Sequence, residues 1–228
     1  MRDTDSYLLR SGLALALLPA CLPVFASEPK PTPENTIQIR LADPVKPQSF
    51  PRPVKFFVGN LTDRSGNPQP LLVYKDRGGV FLDRQPTEIL REGLETSLRN
   101  AGALAADADS ADLVLNVYVF HFGLGASSGI DFFGKVEFTL VVKNPKTGES
   151  KEVKASGTSI AATAIRKKNL QKNVQADIEG ALADALRNFL RGTGLRDAVA
   201  GLFPSTGPAP APATPPQPAG LSRELWRG

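Results

Sequence analysis

Cysteine and histidine, the two residue types that most often carry nucleophilic or metal chemistry, occur once each in this chain, as Cys21 and His121. A disulfide framework or a zinc cluster needs several such side chains, and a catalytic Cys/His pair needs both in one site. His121 lies between Phe120 and Phe122 in a stretch typical of a β-strand. A lone histidine there is more often a packed or rim residue than a base. We therefore predict no metal site, no cofactor and no enzymatic activity.

Acidic side chains give no stronger signal for catalysis. General acid–base catalysis needs two positioned carboxylates, but the candidates lie in predicted loops and strand starts, where turn formation explains them. The Gly-rich stretch at 123–129, GLGASSG, is similar to a dinucleotide-binding fingerprint, yet a strand-like segment follows it instead of a helix. We predict a hairpin loop there. The carboxylates considered are Asp107, Asp109, Asp112 and Asp131.

A basic cluster precedes and enters the longest predicted helix: Arg166, Lys167, Lys168 and Lys172. Such a cluster is either a solvated face or a patch that binds an acidic polymer. The formal net charge of the chain is only +4, and its Lys and Arg residues are scattered. This argues against a nucleic-acid partner.

The N-terminal 26 residues resemble an export signal, with Arg2 and Arg10 ahead of an apolar run that is too short to span a bilayer. Two processing sites remain open. Cleavage before Cys21 would leave a cysteine that becomes a lipidated N-terminus, and cleavage before Ser27 would remove it. A lipid on Cys21 would attach the protein to a membrane.

These residues belong to elements that predict an α+β domain over 54–203. Apolar residues at steps of three and four indicate a long helix over 168–190, with Asn169 as a cap for its first turn and Gly192 as a residue that can stop its last. Strands are predicted at 54–58, 112–122, 136–143 and 149–160, and a shorter helix begins near Pro86. The fold class is an antiparallel sheet of about four or five strands with two helices packed on one face.

Proline-rich segments flank this domain. Residues 27–53 predict a tether with a first strand at 36–41, and residues 204–228 predict a disordered, Pro/Ala-rich tail. The tail ends in SRELWRG, which holds Trp226, the only tryptophan. An exposed tryptophan flanked by arginines has the composition of a recognition anchor.

Several stretches together resemble the YajG-type bacterial lipoproteins: TIQIRL, VKFFVGNLTDRSG, PTEILREGLETSLRNAGA, ADLVLNVYVFHF and SGTSIAATAIRKKNLQKNVQADIEGALADALRNFL. The resemblance covers most of 36–190. It implies an envelope protein anchored by a lipid on Cys21, and Leu22 after that cysteine implies sorting to the outer membrane. It brings no catalytic residues.

The sequence thus predicts a non-enzymatic, lipid-anchored module on the periplasmic side of the bacterial envelope that binds or scaffolds an envelope protein or polymer. Two alternatives stay open. One is an auxiliary component of an envelope lipid or polysaccharide transport system, and the other is a cell-wall hydrolase. A groove without clustered polar side chains favours the binding roles, whereas a pocket joining His121 to a carboxylate favours the hydrolase.

Overall fold

The structure is a computed structural model that describes residues 30–41, 44–47, 50, 52–66, 72–74, 78–126, 132–160 and 169–203. Seven strands and three helices lie in these ranges. In chain order they are β1 (Thr36–Ile37), β2 (Phe56–Asp63), β3 (Leu72–Tyr74), β4 (Gly78–Leu82), α1 (Pro86–Asn100), β5 (Leu113–Ala126), β6 (Phe132–Lys143), β7 (Ser150–Ser159), α2 (Leu170–Arg191) and α3 (Thr193–Leu202). None of the helices in these ranges is long and apolar enough to cross a membrane.

The main sheet has four strands in the order β2-β5-β6-β7, which confirms the α+β class. Strands β5, β6 and β7 form the predicted antiparallel meander. Strand β2 pairs in parallel with β5, so the sheet is mixed and not wholly antiparallel. The reason is that α1 lies between them and returns the chain to the starting edge, as a parallel connection requires. A smaller group, β1-β4-β3, packs beside it.

All three helices cover one face of the main sheet. Helix α2 packs on β5, β6 and β7, α1 on β2 and β5, and α3 on β6 and β7. The sequence predicts two helices on one face. The third is α3, a short amphipathic helix that begins directly after Gly192. The predicted stripe of α2 is buried from Val174 to Leu190, and Leu170 is partly buried. Asn169 occupies the N-cap position of α2 but its side chain makes no capping hydrogen bond.

The folded domain begins earlier than residue 54. Ile37, Ile39 and Val45 lie in the same hydrophobic core as the sheet and helices, with at most 8% of their surface exposed. Residues 27–53 were predicted to have little to bury, and for these three residues that is wrong. The first strand is also shorter than predicted, since only Thr36–Ile37 pairs, in parallel with β4.

Helix α2 crosses the sheet at backbone contact distance because two strand residues have no side chain. A Cβ atom on Gly134 would overlap the Asp177 carbonyl, and one on Gly157 would overlap the Ala181 carbonyl and the Ala185 amide. The same close crossing explains a further difference from the prediction. The sequence predicts Asp177 mostly off the apolar stripe of α2, because it is charged, yet only 1% of it is exposed.

Strand β5 changes the face that its side chains occupy part-way along. Its register with β6 shifts between Val119 and His121, which is a β-bulge with Phe120 as the extra residue. Phe122 therefore points into the core, although simple alternation placed it with Phe120 on the other face. The strand also runs on through Ala126, so the predicted hairpin loop is wrong for residues 123–126, and the rest of that stretch lies outside the described residues.

Candidate functional site

The face of the main sheet opposite the helices is the candidate binding surface. Residues at alternate positions of β5, Val114, Asn116 and Tyr118, are only half-buried there. Phe120 continues this alternation on the same face and is 46% exposed, at the bulge after which the alternation changes. The Arg64 guanidinium lies 4.3 Å from the centroid of the Tyr118 ring. This face combines aromatic side chains with charged ones, a composition found at protein–protein interfaces.

A groove of about 410 Å³ lies beside Phe120 on this face. Phe120 supplies an apolar wall, and Glu137 and Lys154 supply opposite charges. The Lys135 ammonium lies 3.0 Å from the Glu137 carboxylate and neutralises it. Lys154 forms no ion pair with any described residue, so its charge is available to a ligand. The full lining is Phe120, Glu137, Phe138, Thr139, Lys154, Ala155 and Ser156.

His121 lies at the end of the same face, directly opposite Glu137 in the register of β5 and β6. Burial lowers the pKa of His121, and the nearby Lys135 lowers it further against the opposing effect of Glu137. The imidazole donates a hydrogen bond to the Leu124 backbone, while its Nε2 atom is buried without a partner in the described part of the chain. His121 is therefore neutral near pH 7, and it does not line the groove that holds Glu137.

The carboxylates singled out in the sequence are dispersed. Asp107 accepts a hydrogen bond from the Ser110 amide at 2.8 Å, and this bond lowers the pKa of Asp107. Asp112 accepts one from the Lys55 amide at 2.9 Å and so fixes the start of β5 beside β2. Asp109 is exposed, and Asp131 lies outside the described residues. Within the described ranges no three His, Cys, Asp or Glu side chains form a group that could hold a metal ion.

Of the predicted basic cluster, the structure describes Lys172 alone, since Arg166, Lys167 and Lys168 lie outside the described ranges. Lys172 is exposed and lines a groove of about 550 Å³ with Arg40 and several glutamine side chains. Next to it the Glu179 carboxylate accepts hydrogen bonds from the Arg40 amide at 3.0 Å and from the Gln175 side chain at 2.9 Å. The acidic-polymer patch stays a prediction, and so do the roles of Cys21 and Trp226, which lie outside the described residues.

The residues of the groove beside Phe120 were not found in the sequence. Glu137 and Lys154 lie on different strands and meet only through the register of β6 and β7, which no local pattern specifies. One signal was available. Strand β5 carries large apolar residues at successive positions, and only part of them can enter a core that covers one face of a sheet.

No protein-family model matches this chain, and no curated protein matches it. Among solved structures, protein XCC0632 from Xanthomonas campestris, of family model DUF330, is similar with a TM-score of 0.54 and 14% identity over 73% of this chain and 98% of that one. This similarity shows a shared fold alone.

Two further matches have TM-scores below the level that supports an argument about fold. The PelC dodecamer from Paraburkholderia phytofirmans has a TM-score of 0.39, with 13% identity over 64% of this chain and 94% of that one. Lipoprotein GNA1162 from Neisseria meningitidis has a TM-score of 0.26, with 14% identity over 54% of this chain and 94% of that one.

Proposed function

We propose that this protein is a YajG-type, lipid-anchored bacterial envelope protein that acts without catalysis, as a binding or scaffolding module at the periplasmic face of the outer membrane. The observation that carries the proposal is the face of the main sheet that no described helix covers, on which Phe120 is exposed. Phe120 is 46% exposed beside the half-buried Tyr118 and at the wall of a groove, so this face offers a partner aromatic surface that contact would remove from water. The motifs similar to YajG-type lipoproteins supply the expected location.

The partner that fits this face is a protein surface with an apolar side chain beside a carboxylate. The apolar side chain would pack on Phe120, where contact removes aromatic surface from water. The carboxylate would pair with Lys154, whose ammonium has no partner among the described residues, while Glu137 is already neutralised by Lys135. Each of these contacts needs only the side chains that line the groove.

Site-specific crosslinking in intact cells tests this proposal. A photoreactive residue at position 120 should give one discrete adduct with an envelope protein, whereas the same residue at Arg196, on the exposed side of α3, should give none. Lys154→Glu should remove the adduct and Arg196→Glu should leave it, because both reverse one exposed charge and only the first faces the groove. Equal labelling at 120 and 196 would refute a specific partner at this face. A transport-system subunit as the adduct would select the transport role.

The anchor is tested separately by lipid labelling. The wild-type protein should incorporate label and fractionate with the outer membrane, and Cys21→Ser should not. The sequence context of Leu22 supports the outer-membrane assignment by resemblance. A water-soluble protein that begins at Ser27 in both strains would refute the anchor and leave the groove proposal untouched.

A further inference from the structure

A second groove, which we call the basic groove, lies where described residues between 46 and 55, just ahead of β2, meet the C-terminal end of α1. Its volume is about 660 Å³. It is lined by Lys46, Pro47, Phe50, Arg52, Pro53, Val54, Lys55, Asn100, Ala101, Gly102 and Ala103. Three of these are cations and none of the described lining residues is a carboxylate. The groove shares no residue with the groove beside Phe120.

None of the three cations forms an ion pair with a described residue, and two of them are held in place by other contacts. The Arg52 guanidinium lies 3.9 Å from the centroid of the Phe203 ring. The Lys55 ammonium donates a hydrogen bond to the Gly102 carbonyl, at the C-terminal end of α1. The Lys46 ammonium makes no hydrogen bond or ion pair with a described residue, although its backbone carbonyl accepts a hydrogen bond from Arg191 at 3.1 Å. The positive charge of these three side chains is therefore not neutralised by a salt bridge to a described residue.

The same groove offers apolar surface between the charges. Phe50 is half-buried, with its ring centroid 5.3 Å from that of Phe56, and Pro47 and Pro53 continue the apolar wall. A free inorganic anion would use the cations and leave this surface in contact with water. A ligand with an anionic head and an adjoining apolar part uses both, since burial of the apolar part adds to the charge attraction.

We propose that the basic groove binds anionic phospholipid headgroups of the membrane that holds the protein, a proposal that rests on the envelope location given above. The first residue of the groove, Lys46, follows the predicted anchor Cys21 by 25 residues, with β1 between them. From Cys21 to Thr36 there are 15 residue steps, which span roughly 50 Å when fully extended. A lipid on Cys21 would therefore keep the groove within reach of the bilayer surface. Each cation near an anionic surface strengthens binding roughly fivefold.

Vesicle sedimentation tests this with a chain that begins at Ser27, which contains every described strand and helix and lacks both the predicted anchor and the apolar N-terminal run. This chain should bind vesicles made from equal amounts of phosphatidylglycerol and phosphatidylcholine. It should not bind vesicles made from phosphatidylcholine alone. The combined change Lys46→Gln, Arg52→Gln and Lys55→Gln should weaken this binding roughly 100-fold. A matched control, Lys30→Gln, Arg40→Gln and Arg64→Gln, removes the same charge from exposed positions beside β1 and at the far end of β2, away from the end of α2 where Arg191 contacts Lys46. It should weaken vesicle binding no more than about twofold, because distant charges are screened.

Lys46→Gln alone keeps the test valid if the triple variant does not fold, since the Lys46 ammonium has no contact among the described residues. The Lys46→Gln substitution should weaken vesicle binding roughly fivefold and leave the melting temperature unchanged. If the control variant loses as much binding as the groove variant, general charge and not the groove attracts the membrane, and the proposal is wrong. If soluble polyglutamate displaces the chain completely from the vesicles, the groove recognises an acidic polymer and the lipid assignment is wrong. Neither result bears on lipidation of Cys21, because the tested chain lacks that residue.

Discussion

Gly157 shows how one residue decides the distance between a helix and a sheet. Gly157→Ala should destabilise the protein by about 1 to 3 kcal/mol, because the added methyl group would overlap backbone atoms of α2 at Ala181 and Ala185, which cannot give way as a side chain can. Urea unfolding measures the change. Gly201→Ala is the control, since a Cβ there meets only the Lys151 Cε atom at 3.6 Å and should be neutral or slightly stabilising. Equal effects of the two substitutions would contradict the close crossing.

His121 should make stability depend on pH in a defined direction. Its pKa is lowered in the folded protein, chiefly by burial, so the unfolded chain binds the proton more readily. The stability that His121 contributes is fully present above the pKa of an unfolded histidine, about 6.5. This contribution to the free energy of unfolding decreases as the pH falls from there to the lower pKa of the folded protein. Below that pKa it no longer changes.

The measurement is urea unfolding of the wild type and His121→Gln from about pH 7.5 to about pH 5, the range that brackets the unfolded histidine pKa. The chain has no other histidine, so the difference between the two curves belongs to His121. Lys135 and Glu137 are present in both proteins, so their own contributions to the pH dependence cancel in the difference. A wild type that gains stability relative to the variant on acidification would show that the pKa is raised instead.

At the scale of elements, α2 is the helix on which the fold depends. Leu182 is 1% exposed on its buried stripe, whereas Lys172 is exposed near its start. Leu182→Asp buries a charge without a partner and should unfold the domain at a cost of several kcal/mol. Lys172→Glu should change the free energy of unfolding by less than about 0.5 kcal/mol. Thermal melts that rank the two variants in the reverse order would show that the facing of the helix is wrong.

The same helix also protects the edge of the sheet. Strand β7 is an outer strand, and an unpaired strand edge invites pairing with other chains. Asn188 donates a hydrogen bond to the Ser156 carbonyl at 2.8 Å, and Asp184 accepts one from the Thr158 amide at 3.3 Å. These two bonds occupy outward-facing backbone groups of β7. The surface left for a partner is therefore the open face of the sheet more than this edge.

At the scale of the whole molecule, the described fold is complete before the Pro/Ala-rich segment begins. Helix α3 ends at Leu202, and the Asn144 side chain donates a hydrogen bond to the Leu202 carbonyl at 3.2 Å. Deletion of residues 205–228 should therefore leave the thermal melt unchanged. Under the hypothesis that Trp226 is a recognition anchor, the same deletion should abolish capture of the partner that the tail binds. Recovery of identical partners in equal amounts with and without the tail would leave Trp226 without that role.

The sequence by itself determined the elements whose patterns are local. The apolar stripe of α2 predicts which residues it buries, because the period of a helix fixes which side chains share a face. Apolar residues on both faces of β5 predict a central strand, and β5 lies between β2 and β6. The Asn144 turn joins β6 to β7 where the turn residues predict it, and Pro86 opens α1.

Only the tertiary structure decided the features that depend on residues far apart in the chain. The parallel pairing of β2 with β5 follows from how α1 crosses the sheet, and the bulge at Phe120 follows from the register with β6. The candidate binding surface also depends on residues that are far apart in the chain, so local sequence patterns do not predict it. A side chain becomes exposed or buried through what lies above it, so neither the open face around Phe120 nor the basic groove at Lys46 has a signature in the order of residues. Periodicity says which residues share a face, and packing alone says which face is left uncovered.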